Sequence, residues 1–235
     1  MKILAIDTAT ASCSAALLLE DRLISRERIL ERGHAEHILP MVDELLREGA
    51  VALTDLSAVA FGRGPGAFTG LRLAASVVQG LAFGAGLSVV PVSDLQALAQ
   101  QLLASDLAAA HVLACTDARM HEVYWGCFER GARGFALAVG DEHVGSPGEV
   151  RLPDTWMGEG RARTCGAGSG FAAYPQLSAA LTGALDGIQD RLLPRAQEIA
   201  QLAVAEVRAG HALPADQALP VYLRDDVTQV RHGQS

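Results

Sequence analysis

The sequence predicts an α/β fold arranged in two lobes, and three observations carry that prediction. A short apolar strand at 57–61 runs through Gly62-Arg-Gly-Pro-Gly-Ala-Phe-Thr-Gly70 into an apolar helix, the strand, loop and helix order of α/β units. At the amino terminus two apolar runs, 2–6 and 13–19, are separated by a polar stretch short enough for a β-hairpin. The strand pattern then restarts at Val112 after a helix that ends near Ala104, which puts a lobe boundary near Ser105-Asp106.

A third strand is expected from Leu23 to Ile29, where Arg22, Arg26, Arg28 and Arg32 recur in a strand-like way and mark a polar edge. From His34 to Glu48 the residues Ala35, Ile38, Leu39, Met41, Val42, Leu45 and Leu46 fill an arc of about 160° at helical spacing. One surface helix needs a stripe only slightly over ~100° wide. The helix after the glycine-rich loop, reaching to about Phe83, crowds Thr69, Arg72, Ser76 and Gln79 onto one narrow side. Roughly 200° of it is apolar or small, which predicts cover on two sides.

A strand at Ser88–Val92 precedes a helix capped by Ser93, and strands at Val112–Thr116 and Glu122–Phe128 flank the turn Asp117-Ala-Arg-Met120. The stretch 129–170 reads as irregular, with one short strand near Gly166, Gly168 and Gly170, and Phe171–Leu181 reads as a helix. Arg195–Arg208, entered through Pro194 and closed by Gly210, is amphipathic. These elements divide the chain into a first lobe of 1–104 plus about 191–224, a second lobe of 105–190, and a polar, mobile tail at 225–235.

With 235 residues, half of them hydrophobic, the chain can bury a sizeable core. Its net charge of −8 repels a phosphate backbone, so any nucleic-acid role is expected to be indirect. No uninterrupted apolar run approaches membrane-spanning length and no cleavage-site pattern follows Met1, which predicts a cytoplasmic protein with no membrane contact. Cys13, Cys115, Cys127 and Cys165 lack metal or redox spacing and read as small apolar filler.

The loop Gly62-Arg-Gly-Pro-Gly-Ala67 fits the G-x-G-x-x-A form of a dinucleotide fingerprint. The acidic residue that should grip the ribose is missing, because Leu56 to Ser93 contains no Asp or Glu. A Walker loop fails for want of its lysine, which leaves a tight turn and close helix packing as the simpler reading. His34 and His37 stand three apart at a helix start without a third ligand, so no metal site is expected. Asp7, Thr8 and Thr10, at the end of the first strand, could contact phosphate oxygens in a nucleotide cleft or could simply satisfy a turn. No nucleophile-and-base set can be assembled, so no catalytic residue and no cofactor is expected.

Four segments carry a resemblance: Met1-Lys-Ile-Leu-Ala-Ile-Asp-Thr-Ala-Thr10, Gly62-Arg-Gly-Pro-Gly-Ala-Phe-Thr-Gly-Leu-Arg72, Asp117-Ala-Arg-Met-His-Glu-Val-Tyr-Trp125 and Pro220-Val-Tyr-Leu-Arg224. Together they resemble the TsaB (YeaZ) family, with His121 where the family pattern has Gly. The resemblance implies an actin-like (ribonuclease H-like) architecture of two related lobes, each a mixed sheet flanked by helices. It implies a non-catalytic subunit required for threonylcarbamoyl transfer to the tRNA adenosine next to the anticodon (t6A). The partners it implies are TsaD, which holds the metal and the transfer chemistry, and the ATPase TsaE, with homodimers when the chain is alone and tRNA met only indirectly. Ala9 replaces the glycine of the superfamily's phosphate-binding turn, which makes Asp7, Thr8 and Thr10 a vestigial nucleotide cleft.

The two wide apolar arcs locate the expected TsaD contact on helices 34–48 and 68–83. Ile38, Met41, Val42 and Leu45 would be its anchors, Gly70, Ala74 and Gly80 would permit close approach, and Arg72 would lie within it. The rival readings are an ATP-dependent small-molecule kinase of the same superfamily and a metal-dependent, glycoprotease-like peptidase.

Overall fold

The computed structural model describes residues 1–224, so the tail expected at 225–235 lies outside the described residues. β1 (Lys2–Asp7), β2 (Ser12–Leu19), β3 (Arg22–Ile29), β4 (Ala58–Gly64) and β5 (Val89–Ser93) form one sheet in the order β3-β2-β1-β4-β5. β6 (His111–Arg119), β7 (Glu122–Arg130), β8 (Ala136–Gly145), β9 (Thr164–Ala167) and β10 (Gly187–Gln189) form a second, β8-β7-β6-β9-β10. The two orders are equivalent. In each, three consecutive strands make an antiparallel meander whose first member is central, and two parallel strands extend its other side. Two related mixed sheets are what the resemblance implied.

β1 and β2 read as nearly unbroken apolar runs because both faces of the first sheet are covered. Alternate side chains point to opposite faces. Leu4 and Ile6 pack with Leu17 and Phe61 beneath α1 (His34–Gly49) and α2 (Phe68–Ala85). Ile3 and Ala5 face the other way, onto Ile199, Ala200 and Ala203 of α6 (Ala196–Ala209). The late helix is tied to the amino-terminal strands by a hydrogen bond of 2.9 Å from the Ala196 amide to Ser14 Oγ.

α3 (Asp94–Ser105) begins at Ser93, whose Oγ accepts from the Gln96 amide at 3.1 Å as an N-cap. Its Leu95, Leu98 and Leu102 pack with Val112, Ala114 and Phe128 of the second sheet. On that sheet's opposite face, Leu113, Cys115 and Trp125 meet Trp156, Phe171 and Leu177. All four cysteines are free and buried, and loss of hydration pushes the thiols of Cys115 and Cys127 up to about 12.

Three expectations need correction. The stretch read as irregular contains β8, ten residues long; its exposed positions mix apolar Leu137 and Ala138 with Asp141 and His143, and Gly140 takes a left-handed φ of 77°, which together break the strand-like alternation. The helix expected at Phe171–Leu181 is two short ones, α4 (Gly170–Ala173) and α5 (Pro175–Ala180). Pro175 drives Tyr174 out of the helical region, to φ −131° and ψ 82°. Among the described residues α2 alone is long and apolar enough to cross a membrane, by length and composition, although Ala74, Val78 and Ala82 pack it on the first sheet. In the sequence its apolar run is interrupted by Thr69, Arg72, Ser76 and Gln79.

Candidate functional site

A cleft of about 1240 Å³ is lined by loops that connect strands of the first sheet and by β6 and β7 of the second. The turn after β1, the loop 65–67 and the first turn of α2 form one wall, and Thr116–Arg119, Tyr124 and Ser169 line another. Tyr222, Leu223 and Arg224 also border it. Thr8 and Thr10 reach this cleft, whereas Asp7 is fully buried and is not part of its lining.

The polar groups expected to meet phosphate are largely occupied within the chain. Asp7 Oδ1 accepts from the Ala9 amide at 2.8 Å, Thr8 Oγ1 donates to the Gly70 carbonyl at 2.7 Å, and Thr10 Oγ1 accepts from the Ser12 amide at 3.2 Å. The glycine-rich loop lies directly on this turn. The Ala67 amide donates to the Ala9 carbonyl at 2.8 Å, and a Cβ on Gly66 would stand 2.7 Å from that same oxygen. Its glycines therefore serve close packing of loop against turn.

Beneath the floor lies a pair that the sequence reading missed. Asp94, in the first turn of α3, is as buried as Asp7, and its Oδ2 accepts from the Gly64 amide at 2.6 Å. Burial raises both acids: Asp7 to about 6, and Asp94 well above the usual carboxylate range, with Asp7's charge adding to the effect. In the sequence Asp94 is indistinguishable from an acid that complements a helix N-terminus.

The carboxyl-terminal segment joins the two halves of the fold. The Val221 amide donates to the Arg63 carbonyl at 2.7 Å, and Tyr222 OH meets Arg72 Nε at 3.1 Å. Arg224 donates to the Ala118 carbonyl at 3.2 Å and pairs with Glu122. The hairpin it grips carries left-handed backbone at Arg119, Met120 and His121, held by an Asp117 carboxylate that accepts from the Arg119 amide at 2.8 Å and from Tyr174 OH at 3.1 Å. His34 Nε2 lies 2.9 Å from the Thr10 carbonyl, and among the described residues no group of three metal-ligating side chains occurs.

The expected docking residues divide. Ile38, Met41, Val42 and Leu45 are all buried in this chain's own core against Leu4, Leu17 and Phe61, so they are not surface anchors. Ala74 is buried with them, and Gly70 is pressed against the Thr8 backbone of its own chain. The arc of about 160° on the first helix is narrower than it looked, because Ala35 and Leu39 fall outside the buried face.

What remains exposed is a stripe on α2. Thr69, Arg72, Ser76, Gly80, Phe83 and Gly84 face solvent, flanked by half-buried Leu73 and Val77. Phe83 is 84% exposed, and a Cβ on Gly80 or on Gly84 would meet nothing within 4 Å. Arg72 lies over the Phe68 ring at 3.9 Å, and Phe68 in turn packs on Tyr222. Of the residues expected at the contact, Arg72 and Gly80 lie on this exposed face, whereas Phe83, Leu73 and Val77 are additions to it; helical spacing alone does not fix which side of α2 the sheet takes.

Comparison with known proteins places the chain among relatives. A family model described as TsaD, tRNA N6-adenosine threonylcarbamoyltransferase, matches residues 19–230. The tRNA threonylcarbamoyladenosine biosynthesis protein TsaB of Escherichia coli K12 is 37% identical over 232 residues, covering 97% of this chain and 96% of that protein. Its namesake from Haemophilus influenzae is 38% identical over 236 residues, covering 97% and 95%. The solved structure of YeaZ from Pseudomonas aeruginosa superposes with a TM-score of 0.83 at 42% identity, over 94% of this chain and 99% of that one. A second Pseudomonas aeruginosa structure, described as an uncharacterized protein with similarity to peptidase YEAZ, gives 0.84 at 42% identity, over 95% and 99%. A shared length, a shared fold and this identity along almost the whole chain lead to one conclusion: the protein belongs to the TsaB (YeaZ) family.

Proposed function

We propose that this chain is the non-catalytic subunit of a t6A-forming assembly, docking through the solvent face of α2 onto TsaD, which carries out threonylcarbamoyl transfer. The observation that supports this most is the exposed Phe83, set beside Gly80 and Gly84 on a helix whose other side is already used by the core. Small residues let a second helix approach closely, and an exposed aromatic supplies an anchor. On α1, Leu39 is likewise an exposed apolar residue.

In this reading Arg72 lies at one end of the contact, TsaE joins the assembled pair, and tRNA is met only through the partners. The same face allows two copies of the chain to pair when TsaD is absent. The chain acts in the cytoplasm as two lobes, 1–104 with 191–224 and 105–190. Turned-in polar groups at Asp7, Thr8 and Thr10 argue against a nucleotide-dependent kinase. Titration with Mg-ATP in a calorimeter is expected to give no heat of binding at up to ~1 mM ligand; a Kd in the micromolar range would restore the kinase reading.

Gly80→Arg and Phe83→Asp test the docking face. Both positions are open to solvent, so each variant keeps the wild-type melting temperature within about 3 °C. Affinity for TsaD is expected to fall at least about 100-fold, as for loss of a central anchor. Unchanged co-purification with both variants would remove α2 from the interface.

A further inference from the structure

Asp7 and Asp94 come from the end of β1 and the start of α3, and both are cut off from water. One oxygen of each accepts a backbone amide, from Ala9 and Gly64 respectively. The other oxygens, Asp7 Oδ2 and Asp94 Oδ1, are the buried side-chain atoms left without a partner among the described residues. The two carboxyls converge over Gly62: a Cβ there would stand 2.8 Å from Asp7 Oδ1 and 2.5 Å from Asp94 Oδ1. Two ionised carboxylates are acceptors only and cannot bond to each other, whereas a single proton supplies the missing donor.

We propose that Asp7 and Asp94 share one proton, and that this proton pins the start of the glycine-rich loop to the first sheet, making the firmness of that loop depend on pH. The charged groups around the pair do not remove the need for the proton. Glu27 on β3 and Glu142 on β8 add negative potential, and Glu142 is itself taken up by Arg63 at 3.1 Å and by Ser93. Arg195 at the start of α6 is paired with Glu198. The Cys13 thiol on β2 is uncharged, because burial and Asp7's charge push it up to about 11.

The proton matters for what the loop carries. Asp94 holds Gly64, and Asp7 holds Ala9, whose carbonyl holds Ala67 just before α2. Both acids favour the protonated form more in the folded chain than in the unfolded one. Their contribution to stability is therefore complete below the unfolded value of 3.8, declines as pH rises through about 6 for Asp7, and declines further at the higher value of Asp94.

Asp94→Asn is the isosteric test, since its amide donates to Asp7 at every pH while its oxygen still receives Gly64. Between pH 5 and 8.5 the wild-type melting temperature should fall by roughly 5 °C more than that of D94N. Hydrogen exchange at Gly64–Phe68 should quicken over the same range in the wild type only. If D94N does not fold, infrared spectroscopy of the wild type decides: a buried protonated carboxyl present at pH 6 and lost on raising the pH supports the pair. Parallel melting curves, or no protonated carboxyl at pH 6, overturn it.

Discussion

Val42→Asp leaves no stable fold. Val42 lies on the core face of α1, with Leu4, Leu17, Ile38 and Phe61 in the same cluster, and among the described residues no buried cation is there to meet a carboxylate. Burying an unpaired charge in such a place costs more than about 4 kcal/mol, a large part of the roughly 5–15 kcal/mol that holds a domain together. Circular dichroism and a thermal melt check it. A cooperative transition within a few degrees of wild type would mean that Val42 faces outward and that the helix register described here is wrong.

Gly70→Ala gives the second largest effect, with a sign opposite to helix propensity. In a helix exposed to solvent the exchange gains up to about 1 kcal/mol. Here a Cβ would overlap the Thr8 carbonyl oxygen and stand 3.0 Å from its carbon, both of them backbone atoms that cannot rotate away. The turn and α2 would have to separate, breaking the 2.7 Å bond from Thr8 Oγ1 to the Gly70 carbonyl. A loss of about 3 kcal/mol is expected in urea unfolding, with a lower midpoint. Unchanged or increased stability would show that loop and turn are not in contact.

Much of this fold could be read in the residues. Each run of β1, β2 and β5 is apolar because it is covered on both faces, and the α3 and α6 boundaries carry their own signals in Ser93 and Gly210. β8 stayed hidden because only Ala136 is fully buried, Leu137 and Ala138 are apolar yet exposed, and Gly140 interrupts the alternation. The site was less legible. A wide apolar arc says that a helix is covered but not by what, so Ile38, Met41, Val42 and Leu45 served equally well as core or as interface until β1 and β4 were in place beneath them. Asp94 gave no sign because its partner Asp7 lies 87 positions away in sequence and is met only when β1, β4 and β5 align.

In the proposed assembly the solvent face of α2 is where this chain meets TsaD. A photo-reactive phenylalanine analogue at position 83 tests it most directly, with the same group at Leu107, 81% exposed beyond the end of α3, as the control. Irradiated with TsaD, the label at position 83 should give a covalent adduct of the two chains and the label at position 107 none. No adduct from position 83, or equal yields from both, would contradict the account.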